Sequence, residues 1–253
     1  MFLHTYRPSP ILFNLGPFKI YWYGLLIVVA VFLGIWLTIF LSQREKIKKE
    51  EIIDLSFYLL IFSFLGARIF YVLLFPSYFF SHPLEIFKIW QGGLGIYGAV
   101  LAGLLVIFFY AKKHHFSFLL LLDLLAPGLI LGQAIGRWGN YFNMELYGLP
   151  TKLRWGIPIG DAYYHPCFLY ESLWNLGVFL ILLLICKKKS PLKGEVFSFY
   201  LILYPLGRFL IEFLRIDEQP ALFSLRLNQI ISLVLIGLGL ALLNNLFREG
   251  NKT

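Results

Sequence analysis

Residues 136–148, "GRWGNYFNMELYG", put Arg137, Asn140, Asn143 and Glu145 at the end of a long apolar run. Arg137 and Asn140 fall at i, i+3 spacing and share a helical face. Asn140 and Asn143 each offer donors and acceptors, and Glu145 is able to position an arginine or take a proton. Gly136 and Gly139 allow close backbone approach, and Gly148 reads as a turn closing the helix end. A second stripe lies in "YPLGRFLIEFLR", residues 204–215, where Tyr204, Arg208 and Glu212 recur every four residues and Arg215 follows three later. That spacing lines up all four on one helix face. A lone buried Arg208 would cost several kcal/mol, so the stripe demands Glu212, an anionic ligand, or both as its partner.

Three further stretches carry groups of the same kind. "WQGGLGIYGAVLAG", residues 90–103, has five glycines that suit tight helix packing or clearance for a bulky ligand, with Tyr97 projecting into the same space. "YHPCFLYES", residues 164–172, supplies His165 as a candidate base or binding group and Glu171, a carboxylate about a turn inside an apolar helix that needs a partner. "YWYG", residues 21–24, reads as an interfacial aromatic belt that includes Tyr23.

The elements that position these groups follow from composition. The chain has 253 residues, 59% hydrophobic and only 14% charged, and its mean hydropathy is +0.75. A soluble domain of this length needs far more polar surface, so the class is an all-α polytopic integral membrane protein. Seven apolar runs are long enough to span a bilayer, near 20–41, 54–75, 93–111, 117–136, 167–186, 195–214 and 228–247. They are continuous rather than alternating, which excludes a strand barrel. The longest loops, near 76–92 and 137–166, are expected on the outer side of a single transmembrane catalytic domain covering 1–253. The net charge of +8 does not imply nucleic acid, because the basic residues gather at span ends instead of on one long face. Cys167 and Cys186 stand near opposite ends of one expected helix, about 28 Å apart, too far for an intrachain disulfide. No cleavable signal peptide is evident, and the first apolar run reads as a retained anchor. The run "REKIKKEE", 44–51, reads as a solvated turn with no chemistry.

Lys and Arg clusters set the expected orientation. Arg44, Lys46, Lys48 and Lys49, then Lys112 and Lys113, then Lys187, Lys188, Lys189 and Lys193, then Arg248 and Lys252 all fall on one side if the N-terminus is outside and the C-terminus cytoplasmic. An odd number of spans requires that same parity. Arg137, Lys152, Arg154 and Arg226 are among those that break the pattern, which marks the outer side for function. Two or three guanidinium groups facing amides at that depth match phosphate oxygens, most simply those of a phospholipid headgroup. A secondary transporter or lipid-translocating protein also suits intramembrane charges, although no internal repeat supports it. A non-enzymatic scaffold leaves the buried arginine and asparagine groups without purpose.

Over essentially its whole length the chain resembles the bacterial prolipoprotein diacylglyceryl transferases. The resemblance rests on "GRWGNYFNMELYG", supported by "YWYGL" at 21–25, "GAR" at 66–68, "GGLGIYGA" at 92–99, "HPCFLYE" at 165–171 and "RFLIEFLR" at 208–215. It implies a seven-helix body in the bacterial inner membrane with the N-terminus outside. The implied reaction moves a diacylglyceryl group from phosphatidylglycerol to the lipobox cysteine of prolipoproteins, forms a thioether and releases glycerol phosphate, with no nucleotide, metal or other cofactor. By motif position it implies that Tyr23, Arg137, Asn140, Glu145, Gly148, Tyr204, Arg208 and Glu212 serve the site. On that reading Arg137 and Arg208 neutralise the departing phosphate, Asn140 and Tyr204 hold headgroup oxygens, and Glu212 and Glu145 orient the arginines; Asn143 and His165 join the lipid-binding set. The chain departs from the common family pattern twice, with Tyr97 where many members have His and Phe168 where many have Gln. The first departure bears on which group takes the thiol proton, with Tyr97 and then His165 as the candidates.

The charge asymmetry predicts that residues 44–51 and 187–193 face the cytoplasm and 137–166 the outside. With both native cysteines replaced, a cysteine introduced at position 152 should react with a membrane-impermeant maleimide in intact cells and one at position 48 should not. The reverse labelling pattern would overturn the orientation.

Overall fold

The computed structural model describes residues 2–16, 18–188, 192–217, 219–222 and 224–250. Lys189 and Lys252, from the basic clusters named above, lie outside the described residues. Among those described, the chain forms nine α-helices and three small antiparallel hairpins. A short α1, Phe2–Thr5, precedes the hairpin of β1, Ile11–Leu15, and β2, Phe18–Tyr21. Then come α2, Trp22–Ser42, α3, Lys49–Leu74, the short α4, Pro76–Ser81, and α5, Ile96–Lys113. Next are α6, Phe118–Phe142, the hairpin of β3, Ile157–Ile159, and β4, Ala162–Tyr164, and α7, Cys167–Cys186. Last are α8, Glu195–Glu212, the hairpin of β5, Ala221–Leu222, and β6, Leu225–Arg226, and α9, Leu227–Gly250.

A helix occupies most of each of the seven expected apolar runs. Six of these helices are long and apolar enough to cross a membrane. The seventh, α8, has 18 residues but carries Glu195, Arg208 and Glu212, the charges that made it a candidate for chemistry. The largest boundary difference concerns α6, which continues past the expected 117–136 span to Phe142 and so takes in half of the signature segment. Cys167 and Cys186 are the first and last residues of α7, and they form no disulfide with each other.

The chain divides into two compact units, one of Met1–Thr38 with Asp123–Thr253 and one of Ile39–Leu122. In lipid there is no hydrophobic gain from bringing helices together, so close van der Waals packing has to do it. In the first unit α2 and α6 run antiparallel with backbones nearly touching: a Cβ at Gly128 would lie 2.8 Å from the Gly34 carbonyl oxygen. Ala30 faces Gly132 and Tyr23 faces Gly139 along the same seam. Around a second seam, Ala126 and Ile130 of α6, Val178, Leu182 and Ile185 of α7, and Val196 and Tyr200 of α8 form one apolar core. The register of α8 in this core is set by Asp123 of α6, a buried carboxylate that accepts from the backbone N–H groups of Gly194 at 2.5 Å and Phe197 at 2.7 Å. An anion there answers both the unpaired donors and the positive end of the helix dipole.

In the second unit α3 and α5 pack through Gly66 and Gly98, where a Cβ on Gly98 would sit 2.2 Å from the Gly66 carbonyl oxygen. This is the tight packing that the glycine-rich 90–103 stretch suggests. Arg68 of α3 is buried and spends its donors on loop carbonyls: Nε on Ile86 at 2.9 Å, Nη1 on Gly92 at 2.7 Å and Gly93 at 2.9 Å, and Nη2 on Glu85. It thereby ties the 85–93 segment to the helix.

A side chain at Gly98 has nowhere to go without separating α3 from α5. Gly98→Val should therefore destabilise the protein by about 1–3 kcal/mol, the usual range for overpacking, read as a lowered melting temperature in detergent. Gly177→Ala, in α7 with open space around it, is the control and should melt at or slightly above wild type.

Candidate active site

The three helices of the apolar core, α6, α7 and α8, also carry the charged groups. Glu171, in the second turn of α7, has a side chain only 4% exposed and meets three arginines from different places in the chain. Its Oε2 lies 2.7 Å from Arg137 Nη2 on α6, while Oε1 accepts from Arg208 Nη1 on α8 at 2.8 Å and from Arg215 Nη1 at 3.3 Å. Glu212, fully buried, stands one turn after Arg208 and pairs with its Nη2 at 2.7 Å through Oε2. Its Oε1 accepts from Gln219 Nε2 at 3.0 Å and faces Arg226 Nη1 at 3.5 Å. Arg208 thus bridges the two carboxylates.

Beyond the end of α8, Arg215 is buried and its Nε donates to Asp217 Oδ1 at 2.6 Å. Burial pushes the Asp217 carboxyl up, but hydrogen bonds from Arg215 and Gln219 and the Arg215 charge outweigh it and hold it at about 2. Asp217 therefore counts as a full negative charge at neutral pH. Such a buried network is stable only while every charge is met, because removing one partner of a buried pair costs about 3–5 kcal/mol.

The signature segment joins this network through α6. Arg137 Nη1 is 3.5 Å from Asn140 Oδ1, and Asn140 Nδ2 donates to Glu145 Oε1 at 2.8 Å, with Asn143 Nδ2 at 3.4 Å from the same oxygen. Glu145 was expected to orient an arginine; it holds the two amides instead, and Glu171 and Glu212 take the arginines. The reason is helical phase: Arg137 and Asn140 turn inward on α6, whereas Glu145 follows the helix end in a loop where Met144 and Leu146 adopt positive φ and the carboxylate is exposed.

Gly148 also differs from its expected role as a helix-ending turn. It has no positive φ and lies in extended backbone, its N–H donating to the His165 carbonyl at 2.9 Å while it bridges to Arg215 on the other side. A Cβ there would meet Cys167 Sγ at 2.7 Å, the Leu214 carbonyl oxygen at 2.8 Å and His165 Cβ at 2.9 Å. The residue is small because two segments flank it closely. At Gly139 the requirement is the Tyr23 ring, 2.2 Å from where a Cβ would stand.

The remaining candidates are placed as follows. Tyr204 stacks on Tyr200 with centroids 5.5 Å apart, and Tyr200 in turn accepts from Gln133 at 3.0 Å. His165 is half-buried with Nδ1 3.1 Å from the Tyr170 hydroxyl, which also accepts from Trp155 Nε1 at 2.9 Å. Asn143 is exposed, as is Tyr23. Tyr97 belongs to the second unit, is 45% exposed and meets Phe70 edge-on at 6.1 Å. Phe168, the other departure from the family pattern, is buried between Tyr141 at 4.7 Å and Trp138 at 5.4 Å. An apolar ring suits that aromatic cluster.

The structure therefore brings Arg137, Asn140, Arg208 and Glu212 into one network and adds Glu171, Arg215, Asp217, Gln219 and Arg226. Of these, Glu171 carried a usable signal, since an intramembrane carboxylate requires a partner. Asp217 and Gln219 carried none, being ordinary polar loop residues in sequence.

The family model for prolipoprotein diacylglyceryl transferase matches residues 10–244. A phosphatidylglycerol–prolipoprotein diacylglyceryl transferase from Thermosynechococcus vestitus is 45% identical over 248 residues, covering 94% of this chain and 92% of its own length. Its namesake in Nostoc sp. is 46% identical, with 95% of this chain and 89% of that protein covered. The Bacillus velezensis protein of the same name is 39% identical over 93% and 91%. With family-wide similarity along nearly its full length, and the arginines of the matching motifs gathered on shared carboxylates, the chain belongs to the prolipoprotein diacylglyceryl transferase family.

Proposed function

We propose that this protein transfers the diacylglyceryl group of phosphatidylglycerol to the lipobox cysteine thiol of prolipoproteins in the bacterial inner membrane, with residues 1–253 acting as one catalytic domain. The N-terminus lies outside and the C-terminus in the cytoplasm. The observation that carries the reading is the convergence of Arg137 and Arg208, from two helices, on the two oxygens of Glu171 at 2.7 and 2.8 Å. Two guanidinium forks held side by side suit a phosphate with two free oxygens. Among the described residues, four arginines share the three carboxylates with which they form ion pairs, more than a single structural ion pair requires.

The reaction is a displacement at the glyceryl carbon that bears the phosphate ester. The thiolate attacks, since it is intrinsically far more nucleophilic than the thiol. The carbon–oxygen bond breaks and its electron pair leaves on the phosphate. Arg137 and Arg208 then stabilise charge that is greater in the transition state than in the bound lipid, which is what accelerates a reaction. Glu171 and Glu212 hold those arginines in place, Asn140 links Arg137 to Glu145, and Tyr23, Asn143, Gly148, Tyr204 and His165 complete the lipid-binding set. Tyr97 supplies a hydroxyl to the thiol.

Replacing Arg137 or Arg208 with Ala should lower transfer by about 10²–10³, the usual effect of losing one charge-stabilising donor. The measurement is turnover of labelled phosphatidylglycerol with a lipobox peptide, alongside accumulation of the variant in membranes. Lys at either position should rescue only in part, because an ammonium lacks the fork. Full activity in either Ala variant would defeat the clamp.

Tyr97→Phe keeps the ring and removes only the polar handle, so it should lose most activity while melting like wild type. Tyr97→His should retain activity, since imidazole with an unshifted pKa near 6.5 accepts a proton at neutral pH. Wild-type turnover in Tyr97→Phe between pH 6 and 9 would move the search for the base to His165.

A further inference from the structure

We propose that Arg226 takes up the second negative charge that appears on the phosphate as the glyceryl carbon–oxygen bond breaks, and then holds the departing glycerol phosphate. The inference rests on the transferase reading above. Arg226 ends β6, where the last hairpin folds back on the end of α8. Its Nη1 lies 3.2 Å from the Glu212 carbonyl oxygen and 3.5 Å from Glu212 Oε1, while Arg208 Nη2 sits 2.7 Å from the other oxygen of the same carboxylate. The two guanidinium groups are therefore neighbours across one carboxylate, and a phosphate held by Arg208 is within reach of Arg226.

Of the four arginines in the network, Arg226 is held least. Its side chain is 31% exposed, against 20% for Arg137, 12% for Arg208 and 4% for Arg215. Both of its guanidinium contacts run through Nη1, so Nε and Nη2 are unengaged among the described residues. The main chain at its base is fixed, with the Arg226 N–H donating to Gln229 Oε1 at 3.0 Å. The side chain thus has a firm root and a loose tip.

Charge balance gives the loose tip its task. Among the described residues Arg137, Arg208, Arg215 and Arg226 form ion pairs with Glu171, Glu212 and Asp217, and the pair that Arg226 makes is the longest of them, at 3.5 Å. Phosphatidylglycerol brings a phosphodiester with one negative charge. During transfer the thiolate's electron pair forms the new carbon–sulfur bond, the thiol proton having passed to the base, and the pair of the broken carbon–oxygen bond goes to the phosphate oxygen. The leaving phosphomonoester carries nearly two negative charges at neutral pH, its second pKa being about 6. Arg226 answers that added charge by shifting from Glu212, which keeps Arg208 and Gln219. Its contact strengthens only as the bond breaks.

The test compares wild type, Arg226→Gln and Arg226→Lys in detergent, with phosphatidylglycerol and a lipobox peptide. Calorimetric binding of glycerol phosphate is measured alongside. In Arg226→Gln, kcat should fall about tenfold, and glycerol phosphate should bind and inhibit about tenfold more weakly, as for loss of one charge-assisted hydrogen bond. KM for the lipid should stay within about twofold, and Lys should recover part of both losses. A raised KM with unchanged glycerol phosphate binding would overturn the proposal, placing Arg226 on the ground-state lipid. Unchanged kcat and binding would overturn it too, leaving a structural partner of Glu212. If Arg226→Gln melts early, Arg226→Lys decides by the same two readouts at unchanged melting temperature. A wild-type protein that binds glycerol phosphate but transfers nothing would count against the transferase reading, and the binding comparison would still judge Arg226.

Discussion

Everything at the charged end of the molecule depends on the Glu171 carboxylate. Placing an ion inside a membrane helix costs several kcal/mol unless it is met, and Glu171 is met by arginines of three separate segments. Each of those arginines would be as costly alone. The carboxylate makes their burial tolerable, and in doing so it brings Arg137 of α6 and Arg208 of α8 to one place. Glu212 repeats the device on the far side of Arg208, which leaves that guanidinium little freedom to rotate. The result is a group of guanidinium side chains held in place by protein contacts alone.

Such a network needs a rigid frame, and lipid offers no hydrophobic force to make one. The frame comes from shape. Gly34 and Gly128 let α2 and α6 touch along their backbones, and the interleaved side chains of α6, α7 and α8 fill the seam beside them. Trp174 of α7 adds a polar link, donating to the Leu203 carbonyl of α8 at 2.8 Å while its ring lies where a side chain at position 207 would be. Packing and polar bonds thus act on the same three helices that carry the charges.

Much of this was legible from residue types and spacing. The apolar runs exceeded what a soluble domain tolerates, so the helices and their approximate limits followed from length alone. The i, i+4 relation of Arg208 and Glu212 is a local geometric fact that helix formation enforces. What could not be read was which carboxylate meets Arg137, because that depends on how α7 turns beside α6. Glu145 was the near choice in sequence, and Glu171, 34 residues on, is the one in contact. Gly148 misled for a related reason: glycine signals either a left-handed turn or a lack of space, and only the flanking backbones of 165 and 214 tell them apart. The extension of α6 to Phe142 was hidden because polar residues at an apolar boundary look like a loop until their buried partners are known.

The carboxylate cap that Asp123 places on α8 turns that helix into a ruler. From Gly194 to Arg208 the chain climbs about 21 Å at 1.5 Å per residue, with the lower end pinned by two hydrogen bonds. A one-residue insertion above the cap would advance the guanidinium by only about 1.5 Å but swing it by about 100°, facing it away from Glu171. On its lipid side this stretch of α8 is free to vary in side chain but not in length, so indels there should be purged from functional descendants while lipid-facing substitutions accumulate.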